Sequence, residues 1–334
     1  MKNSKKLLLI LSIVVVSAML FAACQPAPEP EPAPAEEEAM EEVTEEEVME
    51  EAGPWDNLGT EENPIIFVAV PSGEQDRVLS GFTKVADIVY AETGLVIEPF
   101  VASSYTAAIE AMCTEMPQAH MGALATFAYI LAAEKGCADV ALVSTRYGAA
   151  FYNGQFIVRT DSGLETLEDL AGTDMCRPYP LSTSGDIIPG IMLKGVGIDV
   201  ANDMNQIIDT GSHEASAVAV FNGECDWAAT YVDARTREEE NYPTIMDETV
   251  VIALEPDIPN DGIQFHPDFP ADLRAQLVEV FLGMMDSEEG LAALDEAYQW
   301  SGLEEHDDTF YDQFRQVLDA GGVSAEDIAA MADE

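Results

Sequence analysis

Short apolar runs alternate with segments of helical periodicity along most of residues 65–265, and this alternation constrains the fold more than any other feature. The runs 65–70 and 95–101 are each followed by a helical pattern, at 76–93 and 105–112. Such alternation favours an α/β fold. Roughly the last 70 residues read as helices only. Further strand-like runs come at residues 140–145, 155–159, 206–209 and 250–254.

The N-terminus carries an export signal. A basic start is followed by an unbroken apolar run at residues 7–21 and then by Ala22-Ala23-Cys24. The run is too short for a spanning helix and predicts a signal peptide over residues 1–23. The last three residues resemble a bacterial lipobox, which implies acylation of Cys24, although Phe21 stands where leucine is more common. We expect an extracytoplasmic or periplasmic protein with a lipid anchor on the outer face of the cell membrane; plain secretion with an incidental Cys24 is the alternative.

An acidic tether follows the cysteine. Residues 25–52 consist mainly of proline, alanine and glutamate, with twelve glutamates and no basic residue. Such a composition cannot bury enough apolar surface to fold, and it extends through charge repulsion. We place this disordered tether at residues 24–62. The folded part that remains is long enough for two domains or one large one.

The charge balance limits the possible partners. The chain has 63 acidic and 14 basic residues, a formal net charge of −49. Contact with nucleic-acid phosphates needs basic surface, so the balance excludes nucleic acid as a partner. It also opposes long-range attraction of an anion. Salt at about 0.15 M screens charges beyond about 8 Å, however, and this leaves room for a local anion site.

Four cysteines besides Cys24 suggest two disulfides in an exported chain. Cys113 and Cys137 lie in the first half, and Cys176 and Cys225 lie in the middle of the chain. We therefore favour the pairs Cys113–Cys137 and Cys176–Cys225. Three pairings are possible, and the sequence alone leaves them open.

The loop Ser182-Thr183-Ser184-Gly185, hereafter the Ser-Thr-Ser-Gly loop, lies between a strand-like run at 172–177 and a helical pattern at 186–195. Its hydroxyl and backbone N–H groups would converge at a helix N-terminus. The partial positive charge there suits an oxyanion and needs no lysine or arginine. Serine and threonine are also ordinary N-caps, so the loop alone leaves a capping role open.

Other loops also place tyrosine, serine, threonine, histidine or aspartate next to the ends of strands. In α/β proteins, ligands bind at such turns between strands and helices. The loops are Ser103-Ser104-Tyr105 and residues 122–127, 151–154, 211–214, 229–233 and 258–261.

Through these motifs the chain resembles the phosphate/phosphite/phosphonate-binding proteins of ABC transporters, from about residue 65 to about residue 282. The resemblance implies a type 2 periplasmic binding protein fold, with two α/β lobes joined by a double-crossover hinge. Lobe one would comprise residues 63–156, and lobe two residues 157–255. Residues 256–334 would return to lobe one and pack their helices on it. The implied partners are a small phosphorus oxyanion, which is bound between the lobes, and the ABC permease and ATPase subunits. We expect a monomer.

The resemblance also implies roles for single residues. The Ser-Thr-Ser-Gly loop would hold the phosphonate or phosphate oxygens. His213 would donate a further hydrogen bond, and a bound anion would support its protonated form. Tyr105 and Tyr152 would donate phenolic hydrogen bonds. Thr126 lies in a loop that contributes another contact in the family, but the loop departs from the usual Gly-Pro pattern and leaves Thr126 and Tyr129 as alternatives.

Two aspartates would lie at the far end of the site. In relatives that bind aminoalkylphosphonates, acidic residues there hold the ammonium group. Asp233 and Asp261 would match that role, or they could accept protons from a monoprotonated phosphate. Asp233 could instead form an ion pair with Arg235 or Arg237.

Catalysis and metal binding have little support. Ser184, His213 and Asp233 are the residue types of a hydrolase triad, but no Gly-x-Ser-x-Gly elbow follows a strand. The four histidines lack i, i+4 spacing, and the cysteines lack a Cys-x-x-Cys pair. We expect no enzyme, no metal and no cofactor. The alternatives are a binding protein for a sulfonate or a carboxylate, and a sensor lipoprotein.

Overall fold

The computed structural model describes residues 53–114, 116–323 and 327. The expected signal peptide, the lipid-bearing Cys24 and residues 24–52 of the expected tether lie outside the described residues. Among the described helices, none is both long and apolar enough to cross a membrane.

Strands and helices alternate through most of the described chain. The strands are β1 (Ile65–Ala69), β2 (Ile97–Val101), β3 (Met121–Ala123), β4 (Asp139–Thr145), β5 (Phe151–Tyr152), β6 (Gly154–Arg159), β7 (Asp174–Arg177), β8 (Gln206–Asp209), β9 (Trp227–Tyr231), β10 (Thr249–Leu254), β11 (Ile258–Pro259), β12 (Gly262–Phe265) and β13 (Gly302–Glu305). The α-helices are α1 (Gln75–Thr93), α2 (Tyr105–Cys113), α3 (Thr126–Glu134), α4 (Ile188–Gly195), α5 (Val200–Asp203), α6 (His213–Asn222), α7 (Ile245–Glu248), α8 (Ala271–Gly283), α9 (Glu288–Tyr298) and α10 (Asp312–Ala320). A π-helical turn covers Thr183–Ile187, and 3-10 helices cover Leu167–Leu170, Ala234–Glu238, Met284–Asp286 and Asp308–Tyr311.

Lobe one is built on a six-stranded sheet in the order β13-β4-β12-β3-β1-β2. Strands β2, β1 and β3 are parallel, whereas β12 and β13 pair antiparallel to β4. Helices α1 and α9 approach closely at Gly81, where a Cβ would come within 2.4 Å of the Ala297 nitrogen. The C-terminal helices share the core of this lobe, because Leu277, Leu294 and Leu318 belong to the same buried cluster as Ile65.

Lobe two is built on a five-stranded sheet in the order β10-β6-β9-β7-β8. Successive residues of β6 alternate between its two faces, as expected of a strand buried on both sides. Phe156 packs in a cluster with Trp227, whereas Ile157 packs in a second cluster with Ala228. The sheet begins at Gly154, slightly before the expected residue 157.

Two crossing segments join the lobes. The chain leaves β4 in lobe one for β6 in lobe two, and it returns from β10 to β12. The two crossings pair with each other through β5 and β11, with Tyr152 opposite Ile258. The expected α/β fold with two lobes, a double crossover and C-terminal helices on lobe one is confirmed.

Strand β13 corrects the expectation that the C-terminal region is helical only. It pairs along β4 at the edge of the lobe-one sheet, with Leu303 opposite Ser144. The segment Gly-Leu-Glu-Glu has no apolar alternation, because its two glutamates are exposed on an edge strand. Charged residues are common on such edges, and they conceal the strand from pattern analysis.

The start of the folded part also lies earlier than expected. Residues 53–62 form turns, and Leu58 is buried in the core of lobe one. The Trp55 ring lies 5.3 Å from the His120 ring and 5.2 Å from the His266 ring, measured between centroids. Residues 53–62 therefore belong to the folded part and not to the expected tether, because these apolar contacts hold the segment on lobe one.

Each lobe contains one disulfide. Cys113 is bonded to Cys137 in lobe one, with Cα atoms 5.1 Å apart. Cys176 is bonded to Cys225 in lobe two, with Cα atoms 5.9 Å apart. These are the two pairs that the sequence analysis favoured.

Candidate ligand-binding site

A small cavity with a volume of about 60 Å³ lies between the two lobes. Eight of the nine residues that the sequence analysis singled out line it, and Asp233 does not. The eight are Tyr105, Thr126, Tyr152, Ser182, Thr183, Ser184, His213 and Asp261.

The Ser-Thr-Ser-Gly loop is buried at the start of a helical segment, where the π-helical turn runs directly into α4. The first N–H groups of a helix have no partner within it, so they are available to a ligand. Gly185 is required by close packing, because a Cβ there would lie 2.5 Å from the Pro178 ring and 2.8 Å from Ser182 Oγ. Asp186 fixes the loop by accepting hydrogen bonds from Arg177 Nη1 at 2.7 Å and from the Leu181 N–H at 3.0 Å.

His213 is a neutral hydrogen-bond donor in this structure. It opens α6, whose N-cap Ser212 accepts a hydrogen bond from the Ala215 N–H. The Tyr231 N–H donates to Nδ1 at 3.3 Å, so the ring proton is on Nε2, which lies 3.2 Å from Ser182 Oγ. Burial, followed by the charge of Arg146, lowers the pKa of His213 to about 3. Burial of the ring and the backbone N–H donated to Nδ1 both favour this neutral form. The expectation that a bound anion supports the protonated form stays a prediction.

Two tyrosines reach the same loop. Tyr105 starts α2 in lobe one and its phenol lies near Ser182, whereas the phenol of Tyr152 in the first crossing lies near Ser184. Burial raises the pKa of both phenols above the ordinary value, so both keep their protons. Each can therefore donate a hydrogen bond to an oxyanion.

Thr126 lies on the cavity wall, and Tyr129 does not. Thr126 Oγ1 donates to the Pro259 carbonyl at 2.6 Å. The next N–H, that of Phe127, donates to Thr183 Oγ1 at 3.0 Å and so links the lobes. Tyr129 turns away from the cavity and donates to Asp308 at 2.7 Å.

Both candidate aspartates are occupied by arginines. Asp233 accepts from Arg235 Nε at 2.9 Å and Nη2 at 2.8 Å, and also from Gln155 at 2.9 Å. Its carboxylate forms the ion pair that the sequence analysis named as the alternative and lies off the cavity. Asp261 lines the cavity, but Arg146 binds both of its oxygens, at 2.6 Å and 3.1 Å. The negative charge of each carboxylate is therefore balanced by a neighbouring arginine.

Sequence reasoning missed Arg146, which follows β4 directly. Its Nη1 also donates to Asn260 Oδ1 at 3.0 Å, and its Nε donates to the Tyr298 carbonyl at 3.2 Å. The guanidinium lies 5.9 Å from the centre of the Tyr152 ring. A basic residue at the end of a strand, in a chain with few basic residues, was the available signal.

A second arginine–carboxylate pair, also missed, crosses between the lobes at the cavity. Arg77 on α1 donates to Glu214 Oε1 on α6 at 2.8 Å, and Tyr231 OH donates to the same oxygen at 3.0 Å. Arg77 is anchored on lobe one by the Glu296 carbonyl at 3.0 Å. The His213 N–H adds a further link to the Ser72 carbonyl at 3.4 Å. The two lobes are therefore in contact around the cavity, in a closed arrangement.

The sequence and the fold are similar to those of known proteins. The model of a family described as ABC transporter, phosphonate, periplasmic substrate-binding protein matches residues 67–311, which include all nine candidate residues. The phosphate-import protein PhnD of Mycolicibacterium smegmatis is 27% identical over 173 residues, which cover 48% of this chain and 53% of that protein. The chain thus matches about half the length of this curated relative.

Two solved structures share the fold. One is a binding protein component of an ABC phosphonate transporter from Pseudomonas aeruginosa, with a TM-score of 0.67 and 23% identity over 81% of this chain and 93% of that one. The other is PhnD1 from Prochlorococcus marinus in complex with methylphosphonate, with a TM-score of 0.68 and 15% identity over 78% and 98% of the chains. At these identities the likeness establishes the type 2 periplasmic binding protein fold.

Proposed function

Because the chain belongs to the family of periplasmic substrate-binding proteins of phosphonate ABC transporters, we propose that it captures a phosphorus oxyanion between its lobes. The observation that carries the proposal is the convergence of uncharged donors on one small cavity. Ser182, Ser184, Tyr105, Tyr152 and His213 all present a proton that an oxyanion can accept. Hydrogen bonds to a charged group contribute about 1.5–3 kcal/mol each, and micromolar affinity needs about 8 kcal/mol net.

The ligand that fits best is small. The cavity between the lobes has a volume of about 60 Å³, a size that favours a ligand of few atoms. The carboxylates considered for an ammonium group are bound by Arg235 and Arg146. Both observations favour phosphate, phosphite or a phosphonate with a minimal substituent over an aminoalkylphosphonate.

We also propose how the protein is anchored at the membrane and where it delivers its ligand. The family is one of extracytoplasmic solute-binding components of ABC importers rather than of enzymes. We propose that a lipid on Cys24 and the acidic tether hold the protein at the outer face of the membrane as a monomer. The closed form would pass its ligand to the ABC permease, which is driven by the ATPase subunits.

Titration calorimetry on the purified chain tests the binding proposal. The ligands are phosphate, phosphite, methylphosphonate, 2-aminoethylphosphonate, sulfate and methanesulfonate, each at low and high salt. We expect saturable micromolar binding of a small phosphorus oxyanion, with sulfate silent and 2-aminoethylphosphonate weaker. Binding of methanesulfonate alone, or silence from all six ligands, would contradict the proposal.

Transport is tested separately from binding. The loaded protein should stimulate ATP hydrolysis by its ABC importer reconstituted in liposomes, and the unloaded protein should stimulate it less. Binding without such stimulation would contradict delivery and favour a sensor lipoprotein.

A further inference from the structure

Glu214 differs from Asp261, the other carboxylate that lines the cavity, because one of its two carboxyl oxygens has no partner among the described residues. The residue lines the cavity and is only 3% exposed. Oε1 accepts from both Arg77 and Tyr231, whereas Oε2 is buried with no hydrogen-bond partner among the described residues. Asp261, by contrast, has both oxygens bound by Arg146.

A buried carboxylate oxygen without a hydrogen bond is costly, and buried polar atoms in folded proteins nearly always have partners. The ligand would supply this partner when the cavity is filled. The other polar groups that reach the ligand are donors, and they suit bare oxyanion oxygens. An acceptor such as Oε2 can face an oxyanion oxygen only if a proton lies between the two.

On the basis of the proposed function, we propose that Glu214 selects phosphorus oxyanions that carry a P–OH proton, with Oε2 accepting that proton in a hydrogen bond. The proton is shared between the ligand oxygen and Oε2, and no other bond forms or breaks. Phosphate keeps such a proton as its monoanion and as its dianion. Methylphosphonate has one only as the monoanion, and sulfate has none near neutral pH.

Burial raises the pKa of Glu214, whereas the positive charge of Arg77 and the hydrogen bond from Tyr231 favour the ionised carboxylate that can accept a proton. Arg77 on α1 and Tyr231 on β9 face its carboxyl group, and Glu238 on the following 3-10 helix acts on it through its charge. Burial raises the pKa of Tyr231 well above its ordinary value, so its phenol keeps its proton.

The substitution Glu214→Gln tests the acceptor directly. Arg77 and Tyr231 both donate to Oε1, so they would hold the glutamine oxygen at that position. The amide nitrogen then takes the place of Oε2, and a hydrogen-bond acceptor becomes a donor. A site that requires a protonated ligand becomes one that accepts a fully ionised ligand.

The first measurement is the affinity of the wild-type chain for methylphosphonate, determined by calorimetry at pH values below and above the second ionisation of the ligand. Its affinity for methylphosphonate should fall about tenfold per pH unit above that ionisation, because only the monoanion is bound. Phosphate should show no such fall. A methylphosphonate affinity that is level or rises across the ionisation would overturn the role of Glu214, and the receptor function would stand.

Sulfate supplies the second measurement. E214Q should gain at least tenfold in sulfate affinity and lose the pH dependence for methylphosphonate. Asp233→Asn is the matched control, because it removes one negative charge near the cavity from a carboxylate that Arg235 and Gln155 already occupy. An equal gain in D233N, or a folded E214Q that still rejects sulfate, would overturn the inference. Failure of the wild type to bind any phosphorus oxyanion would overturn the proposed function as well.

Discussion

The two lobes contribute different sets of groups to the same cavity. Lobe two presents uncharged donors at helix starts, from the Ser-Thr-Ser-Gly loop and from His213. Lobe one presents Tyr105 together with Arg146, whose guanidinium is occupied by Asp261 on the second crossing. Both arginines that line the cavity are paired with carboxylates.

The difference suggests that lobe two holds the ligand, whereas lobe one adds its contacts when the lobes close. The donors of lobe two are locally preorganised, because Arg177, Asp186 and Gly185 fix the loop within a single lobe. The groups of lobe one reach that loop only when the lobes meet, as Tyr105 and Phe127 do. A chain with net charge −49 would then recognise an anion through directed hydrogen bonds rather than through an excess of positive charge.

The largest expected effect comes from removing the donors of lobe two. Replacement of Ser182 and Ser184 together with alanine removes two hydrogen bonds to a charged ligand, at about 1.5 kcal/mol or more each. We expect the dissociation constant for the preferred oxyanion to rise roughly a hundredfold in calorimetry. Ser162→Ala, at an exposed serine of the same lobe, is the control. An unchanged constant in the double variant would remove the loop from the site.

A smaller effect is expected from lobe one. Tyr105→Phe keeps the ring and removes one hydroxyl that reaches Ser182 across the cavity. The loss of one hydrogen bond of about 1–1.5 kcal/mol predicts roughly a tenfold weaker complex, mainly through faster ligand release as the lobes reopen. Stopped-flow fluorescence measures the release rate, with Tyr90→Phe on the exposed face of α1 as the control. A larger loss of affinity in Y105F than in the Ser182/Ser184 double variant would show that lobe one contributes more to binding than lobe two.

The smallest expected effect is on the free energy of unfolding, and it comes from Glu255 in the second crossing between the lobes. Glu255 is buried against Gly154, and neither carboxyl oxygen has a hydrogen-bond partner among the described residues. Burial raises its pKa well above the ordinary value. The native state therefore holds the proton more tightly than the unfolded state. The contribution to stability is complete below the ordinary glutamate range and is lost as pH rises towards the raised native pKa.

Glu255→Gln removes this pH dependence. The variant should match the wild type at acid pH and exceed its free energy of unfolding by about 1 kcal/mol or more at neutral pH. Urea unfolding at several pH values measures the difference, with the exposed Glu240→Gln as the control. A difference that stays constant with pH would show that Glu255 keeps its charge in the native state.

Much of the site could be predicted because its motifs are local. In three motifs, a side chain of the candidate site lies at or next to the start of a helical segment. They are the Ser-Thr-Ser-Gly loop, Ser104-Tyr105 and Ser212-His213. Helix starts and strand ends can be read from short windows of sequence. By contrast, Arg146 lies 115 residues from Asp261, and Arg77 lies 137 residues from Glu214, so no local pattern marks these pairs.

Local sequence patterns were enough to predict the α/β alternation, the polar loops that line the cavity, and the favoured pairing of the cysteines. These features depend on neighbours along the chain. The fold was needed to show that Nδ1 of His213 accepts a backbone N–H and that arginines pair with Asp233 and Asp261. It was also needed to show that Glu214 Oε2 has no hydrogen-bond partner among the described residues. Protonation and ion pairing depend on burial and on partners that the folded chain brings together, and short windows of sequence do not show either.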